Sequence, residues 1–239
     1  MRPDAPTSVA FALMASMLCG AFAVQAQTAS APYPDRAPLA RYLTDPAAEA
    51  TLARTAAPQS ISADAEVLVL RPSGFEVAAQ GTNGWACLVE RSWNAAVDFP
   101  EFWNPKIRSP ICFNPAAVRS VLPVVTFWAK RVMAGESKTQ MAAQATTAFN
   151  SGQLPPLEPG AMSLMLSKEG YLTDDHPQFH PHIMFFEPLG EGQQWGANLP
   201  GSPLFAGDDK VNRMAIIPVP VPRWSDGTLD GTLNAHPAK

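Results

Sequence analysis

The sequence predicts an α+β domain: a mostly antiparallel sheet with a helical pair packed on it, one disulfide and many loops. Three observations predict it. Strand-like runs lie on both sides of a central helical stretch, an order that suits α+β better than a regular βαβ alternation. Two cysteines, Cys87 and Cys112, remain once an apolar leader containing Cys19 is set aside. Proline is abundant, 25 residues scattered without a repeat, which suits turns and loop ends and not a polyproline module.

The leader comes first. Arg2 opens a short polar start, Val9 to Val24 is almost wholly apolar, and Val24-Gln25-Ala26 places small residues where a signal peptidase cuts. The apolar run is short of the ~20 residues a membrane helix needs. Residues 1–26 are therefore expected to be a Sec signal peptide, leaving a periplasmic or extracellular protein without a stable membrane anchor. Leu18 is too large for the residue that usually precedes a lipidated Cys19, which disfavours a lipoprotein.

Residues 27–44 begin QTASAPYPDR and read as a flexible lead-in. Asp45-Pro46 then forms an N-cap followed by proline at the first helical position, opening a helix that Pro58 ends. Glu66 to Arg71 (EVLVLR) reads as a strand. Phe75–Gln80 and Trp85–Arg91 flank Gly81-Thr82-Asn83-Gly84, and Asn-Gly between strand-like runs predicts a hairpin there. On its second strand Cys87 and Val89 share one face with Trp85 and Arg91, while Ala86, Leu88 and Glu90 share the other. Cys112 stands just before a second cap-plus-proline start, Asn114-Pro115. A Cys87–Cys112 bridge would staple the sheet to that helix and contribute roughly 3 kcal/mol on the chain-entropy model. Buried free thiols are the alternative; apolar neighbours disfavour a nucleophilic Cys.

From Pro115 to Ala134 apolar residues recur at helical spacing, and Pro123 predicts a kink or a break. Gly135 ends this stretch, and a second helix runs from Glu136 to Asn150 with Ser151-Gly152 as its stop. The short connection predicts an antiparallel pair. Strand signals return at Ala161–Leu166, Ile183–Glu187 and Met214–Val221. Pro218, Pro220 and Pro222 make the last of these an edge strand or an extended cover. The single domain is expected to span 45–224, followed by a loose tail over 225–239.

Formal net charge is −4, and loss of Arg2 and Asp4 with the leader leaves it unchanged. That mild acidity argues against nucleic acid and anionic membrane surfaces as partners. Chemistry-bearing residues concentrate in DDHPQFHPH. Imidazoles of His180 and His182, two apart on a strand, can share a metal, with His176, Asp174 or Asp175 completing the site from the loop. Zinc, copper or iron would suit such a set, so the sequence does not choose the metal; the thioethers of Met162, Met165 and Met184 nearby add copper to the candidates beside zinc. The plainer alternative is a proline-containing turn entering a sheet, with the methionines as core filler. Trp93 and Trp103, in an aromatic stretch with Asp98 and Glu101, suggest carbohydrate binding; anchoring a long loop onto the core is the plainer reading. Nucleophile-elbow, phosphate-loop, dinucleotide and calcium-loop patterns are not found in the sequence.

The strings DPAAEATLARTAAP, DAEVLVL, GTNGWACLVERSW, FWNPKIRSPICFNPAA, GAMSLMLSKEGYL, HPHIMFFEP and WGANLPGSPLF resemble a family of secreted bacterial proteins without an established activity. The resemblance, from about Asp45 to Trp224, implies a bacterial, exported, single-domain protein and brings no catalytic residue. The leading functional expectation is a non-catalytic exported protein that binds a small molecule or a protein partner. A metal-binding protein or metal-dependent enzyme, and a carbohydrate-binding protein, are the alternatives.

Overall fold

The computed structural model describes residues 32–202 and 204–231. The expected signal peptide over residues 1–26, with Cys19, and the end of the tail lie outside them. Helix α1 (Pro46–Arg54) starts where Asp45 accepts hydrogen bonds from the N–H groups of Ala47 and Ala48, with Pro46 in the first turn. A single turn, α2 (Gln59–Ser62), leads into β1 (Glu66–Arg71) and β2 (Gly74–Ala79). Strands β3 (Ala86–Glu90) and β4 (Ser109–Phe113) follow.

Asn114 caps α3 (Pro115–Ser120) through Ala117 N–H, and a break at Val121 separates it from α4 (Leu122–Met133). The proline-bearing stretch is thus a short helix followed by a longer one. Gly135, at φ 87°, ends α4. A Ser137–Gln140 capping box opens α5 (Lys138–Asn150). Strands β5 (Met162–Met165), β6 (His182–Pro188), β7 (Gly207–Asp209) and β8 (Met214–Pro220) complete the chain.

The eight strands form one sheet in the order β2-β1-β3-β4-β5-β6-β8-β7. Among the described residues every strand pair is antiparallel except β1–β3. This is the expected α+β architecture. One face carries Leu88, Ile111, Phe113 and Phe186 against α3, α4 and α5. The opposite face carries Val67, Val89 and Leu164 against Ala53, Ala56 and Ala57 at and after the end of α1. Cys87 and Cys112 belong to this second face and are bonded to each other.

The bridge is a correction in one respect. Cys112 lies within β4, directly opposite Cys87, so the disulfide ties neighbouring strands and not the sheet to a helix.

The hairpin is a second correction. β2 pairs with β1, reversing at Pro72-Ser73, while β3 pairs with the far side of β1. Asn83-Gly84 therefore lies on a crossover. The segment is tied to the start of β1: Thr82 N–H donates to Asp64 O at 2.8 Å, and Asn83 Nδ2 donates to Ile61 O at 2.8 Å. Gly81 allows this passage, since a Cβ there would lie 2.1 Å from the Glu66 nitrogen.

Two segments expected to be loose are anchored. Leu39–Tyr42 forms a 3-10 turn, and Tyr42 is fully buried, its hydroxyl donating to Trp103 O at 2.9 Å. A Pro- and Ala-rich composition conceals the aromatic anchors, Tyr42 and also Tyr33, whose hydroxyl donates to Asp174. In the tail, Arg223 bridges to Leu229, and Asp230 is buried against His180. The proline-rich strand is a further correction: β8 lies between β6 and β7, and β7 is the edge. β7 reaches only to Ile216, so Pro218 and Pro220 lie beyond its pairing, where their missing N–H groups cost the ladder nothing on that side.

Candidate functional site

Alternation along the strands creates the site. In β3 it sends Arg91, just past the strand, toward α1 and Glu90 toward α4. In β6 and β8 it sets His182, Met184 and Phe186 beside Met214, Ile216 and Pro218 on the same face. Val121, Val124, Val125 and Trp128 at α4 form the opposite wall. Helix and sheet do not close on each other here; between them lies a cavity of about 510 Å³. That volume lies within the ~300–1,000 Å³ of small-molecule sites, and such sites are lined mainly by apolar side chains. Phe205 borders the cavity while 61% exposed, which places an opening on the β7–β8 flank.

The polar groups gather in one corner. Glu90 ends β3, Ser92 and Asn94 belong to the turn after it, and Ser109 is the cross-strand partner of Glu90. All four line the cavity. Ser92 Oγ, Asn94 Nδ2 and Ser109 Oγ are buried without a hydrogen-bond partner among the described residues. Ser92 and Ser109 are 1% and 3% exposed, so bulk water does not serve them. Buried polar atoms without partners are uncommon in folded proteins, and a group here invites a ligand.

Burial raises the Glu90 pKa from its ordinary 4.5 to about 8. The adjacent Arg91 does not offset this. Its guanidinium donates to Glu49 Oε2 at 2.8 Å, to Tyr42 O at 2.9 Å and to Val89 O, all on the α1 side.

A pH dependence follows. Folded Glu90 holds its proton to about pH 8, whereas an unfolded glutamate releases it near pH 4.3. Between those values the native state binds more protons, so this group's contribution to stability falls as pH rises through the window. Glu90→Gln removes the contribution. Its urea midpoint is expected to equal or exceed that of the parent at about pH 8.5, with the difference shrinking toward about pH 5. Curves that run parallel across this range would contradict the assignment.

The histidine-rich segment is divided between the cavity and its rim. His180 and His182 both line the cavity. His180 Nδ1 pairs with Asp230 at 2.7 Å, and His182 Nδ1 lies 2.8 Å from His180 O. Burial lowers the His182 pKa, leaving it neutral at pH 7. His176 and Asp175 are exposed.

Asp174 is held by Lys106 at 2.6 Å, Tyr171 at 2.7 Å, Asn104 at 3.0 Å and the Tyr33 hydroxyl. The ammonium of Lys106 and the two phenols keep its carboxyl below the usual range. No group of three or more His, Cys, Asp or Glu stands in a metal-holding arrangement among the described residues.

Trp93 and Trp103 are core residues, 1% and 5% exposed. Trp93 meets Tyr42 edge-on at 4.8 Å and Trp103 meets Phe102 at 4.7 Å, so neither presents an open ring face to a sugar. In the sequence Glu90 shares the Ala86–Leu88 face of its strand, a position with no motif to mark it. A carboxylate ending the apolar face of a strand was the available signal.

No protein-family model, curated protein or solved structure matches the chain.

Proposed function

We propose that the protein is an exported, non-catalytic binding protein that encloses an apolar small molecule between α4 and the sheet. The cavity of about 510 Å³, hydrocarbon-lined with one polar corner, is the observation that carries this reading. Such a lining retains a ligand by removing apolar surface from water, at about 0.8 kcal/mol per methylene. The apolar leader and the resemblance to secreted bacterial proteins support export, and the Cys87–Cys112 bond suits an oxidising compartment.

A series of straight-chain alcohols from hexan-1-ol to decan-1-ol tests the reading by thermal denaturation. Stabilisation is expected to grow with chain length, as affinity rises about fourfold per methylene. Met184→Trp fills the cavity and is expected to suppress the shift by about tenfold in apparent affinity while leaving far-ultraviolet circular dichroism unchanged. A chain-length series with no stabilisation, or with equal stabilisation of a folded Met184→Trp protein, would contradict the reading.

A further inference from the structure

The polar corner specifies more than an apolar ligand. Resting on the cavity reading above, we infer that the ligand is an amphiphile whose protonated amine sits at Glu90, Ser92 and Ser109, with its hydrocarbon body along α4. Two observations and one rule of hydrogen bonding lead there. Glu90 is a carboxyl with no hydrogen-bond or ion-pair partner among the described residues. The two hydroxyls beside it, Ser92 Oγ and Ser109 Oγ, are buried and unpartnered. A hydroxyl oxygen can accept from an ammonium, which has three donors and no acceptor.

Among the described residues, the rest of the lining offers no competing cation. Its other titratable residues are Arg91, His180, His182 and Asp209. Arg91 is engaged by Glu49, and His180 faces Asp230. Neutral His182 adds no positive charge at pH 7, and Asp209 accepts from Asn212 N and Nδ2. Helix α4 contributes only apolar side chains and Trp128 to the wall. A ligand carboxylate would therefore meet Glu90 without a free counter-charge, whereas an ammonium completes an ion pair. Asn94 Nδ2 is a donor and is not served by an ammonium. A hydroxyl next to the amine would accept from it, so an amino alcohol with an alkyl tail is the fuller match.

Binding has a proton balance. At pH 7 the free amine ligand is already protonated, its pKa being near that of lysine at about 10.4. Glu90 enters the complex as carboxylate, so its proton passes to the buffer and no covalent bond changes.

The experiment is calorimetric titration with decylamine, decan-1-ol and decanoic acid, on the parent and on Glu90→Gln. Decylamine is expected to bind about tenfold more tightly than decan-1-ol, with decanoic acid weakest. Decylamine binding at pH 7 should release close to one proton, read from two buffers of different ionisation enthalpy. Within Glu90→Gln, decylamine should bind no more tightly than decan-1-ol binds the same variant, so that the roughly tenfold preference is lost.

Equal binding of alcohol and amine, or an amine preference that survives Glu90→Gln, overturns the headgroup inference and leaves the cavity reading standing. Should Glu90→Gln not fold, absence of proton release by the parent overturns the inference by itself. Failure of all three compounds to bind the parent overturns the cavity reading as well.

Discussion

Glu49→Ala is expected to destabilise the protein by about 3–5 kcal/mol, the usual cost of leaving one member of a buried ion pair alone. Glu49 and Arg91 are each 1% exposed, and they meet at 2.8 Å. Glu49 does two jobs: Oε2 accepts from Arg91, and Oε1 accepts from Leu70 N–H at 3.0 Å. Together these contacts tie α1 to β1, to the end of β3 and, through Tyr42 O, to the N-terminal turn. Alanine removes both acceptors and leaves a charged guanidinium in protein surroundings.

Urea denaturation of the parent, Glu49→Ala, Arg91→Met and Glu49→Leu/Arg91→Met measures this. The double variant should recover part of the loss, because removing both charges relieves the desolvation cost. Recovery stays partial, since the carbonyls of Tyr42 and Val89 and the N–H of Leu70 lose their partners. A loss under about 1 kcal/mol for Glu49→Ala, the range of exposed pairs, would contradict a buried role.

The second large effect concerns the disulfide. Cys87→Ala/Cys112→Ala opens a cross-link between residues 25 apart in sequence. Chain entropy puts the loss at about 3–4 kcal/mol, acting mainly through the unfolded state. Loss of the two buried sulfurs against Ala53 and Leu164 adds a packing cost in the same direction. Chemical denaturation should show a lower midpoint, and reduction of the parent should shift it in the same direction. An unchanged midpoint on reduction, with both thiols then mapped as free, would contradict the assignment.

Elements with strong local signals were legible in the sequence. Asp45-Pro46 and Asn114-Pro115 each open a helix because capping and proline geometry act within a few residues. EVLVLR is β1 from end to end, and the Cys87–Cys112 pairing is the one expected from cysteine parity once Cys19 is set aside. What escaped depends on distant partners. Asn83-Gly84 carries a hairpin signal, yet tethering to Ile61 and Asp64 directs it into a crossover.

The candidate site was legible only in fragments. His180 and His182 were noticed and do line the cavity, but with His176 and Asp175 left exposed outside it. Glu49 and Arg91, 42 residues apart, show no local pattern that links them. The polar corner exists because β3 and β4 set Glu90 opposite Ser109, a register that no local periodicity states.

The measurement that bears most directly on the binding cavity is methyl NMR of methionine-labelled protein titrated with decan-1-ol. Met165, Met184 and Met214 line the cavity, whereas Met133, Met141 and Met162 do not. Saturable, single-site shifts of the first three methyls, with the other three nearly still, are the predicted result. Saturation that moves Met133, Met141 and Met162 as much as the cavity methyls, or that moves none of them, would contradict the account.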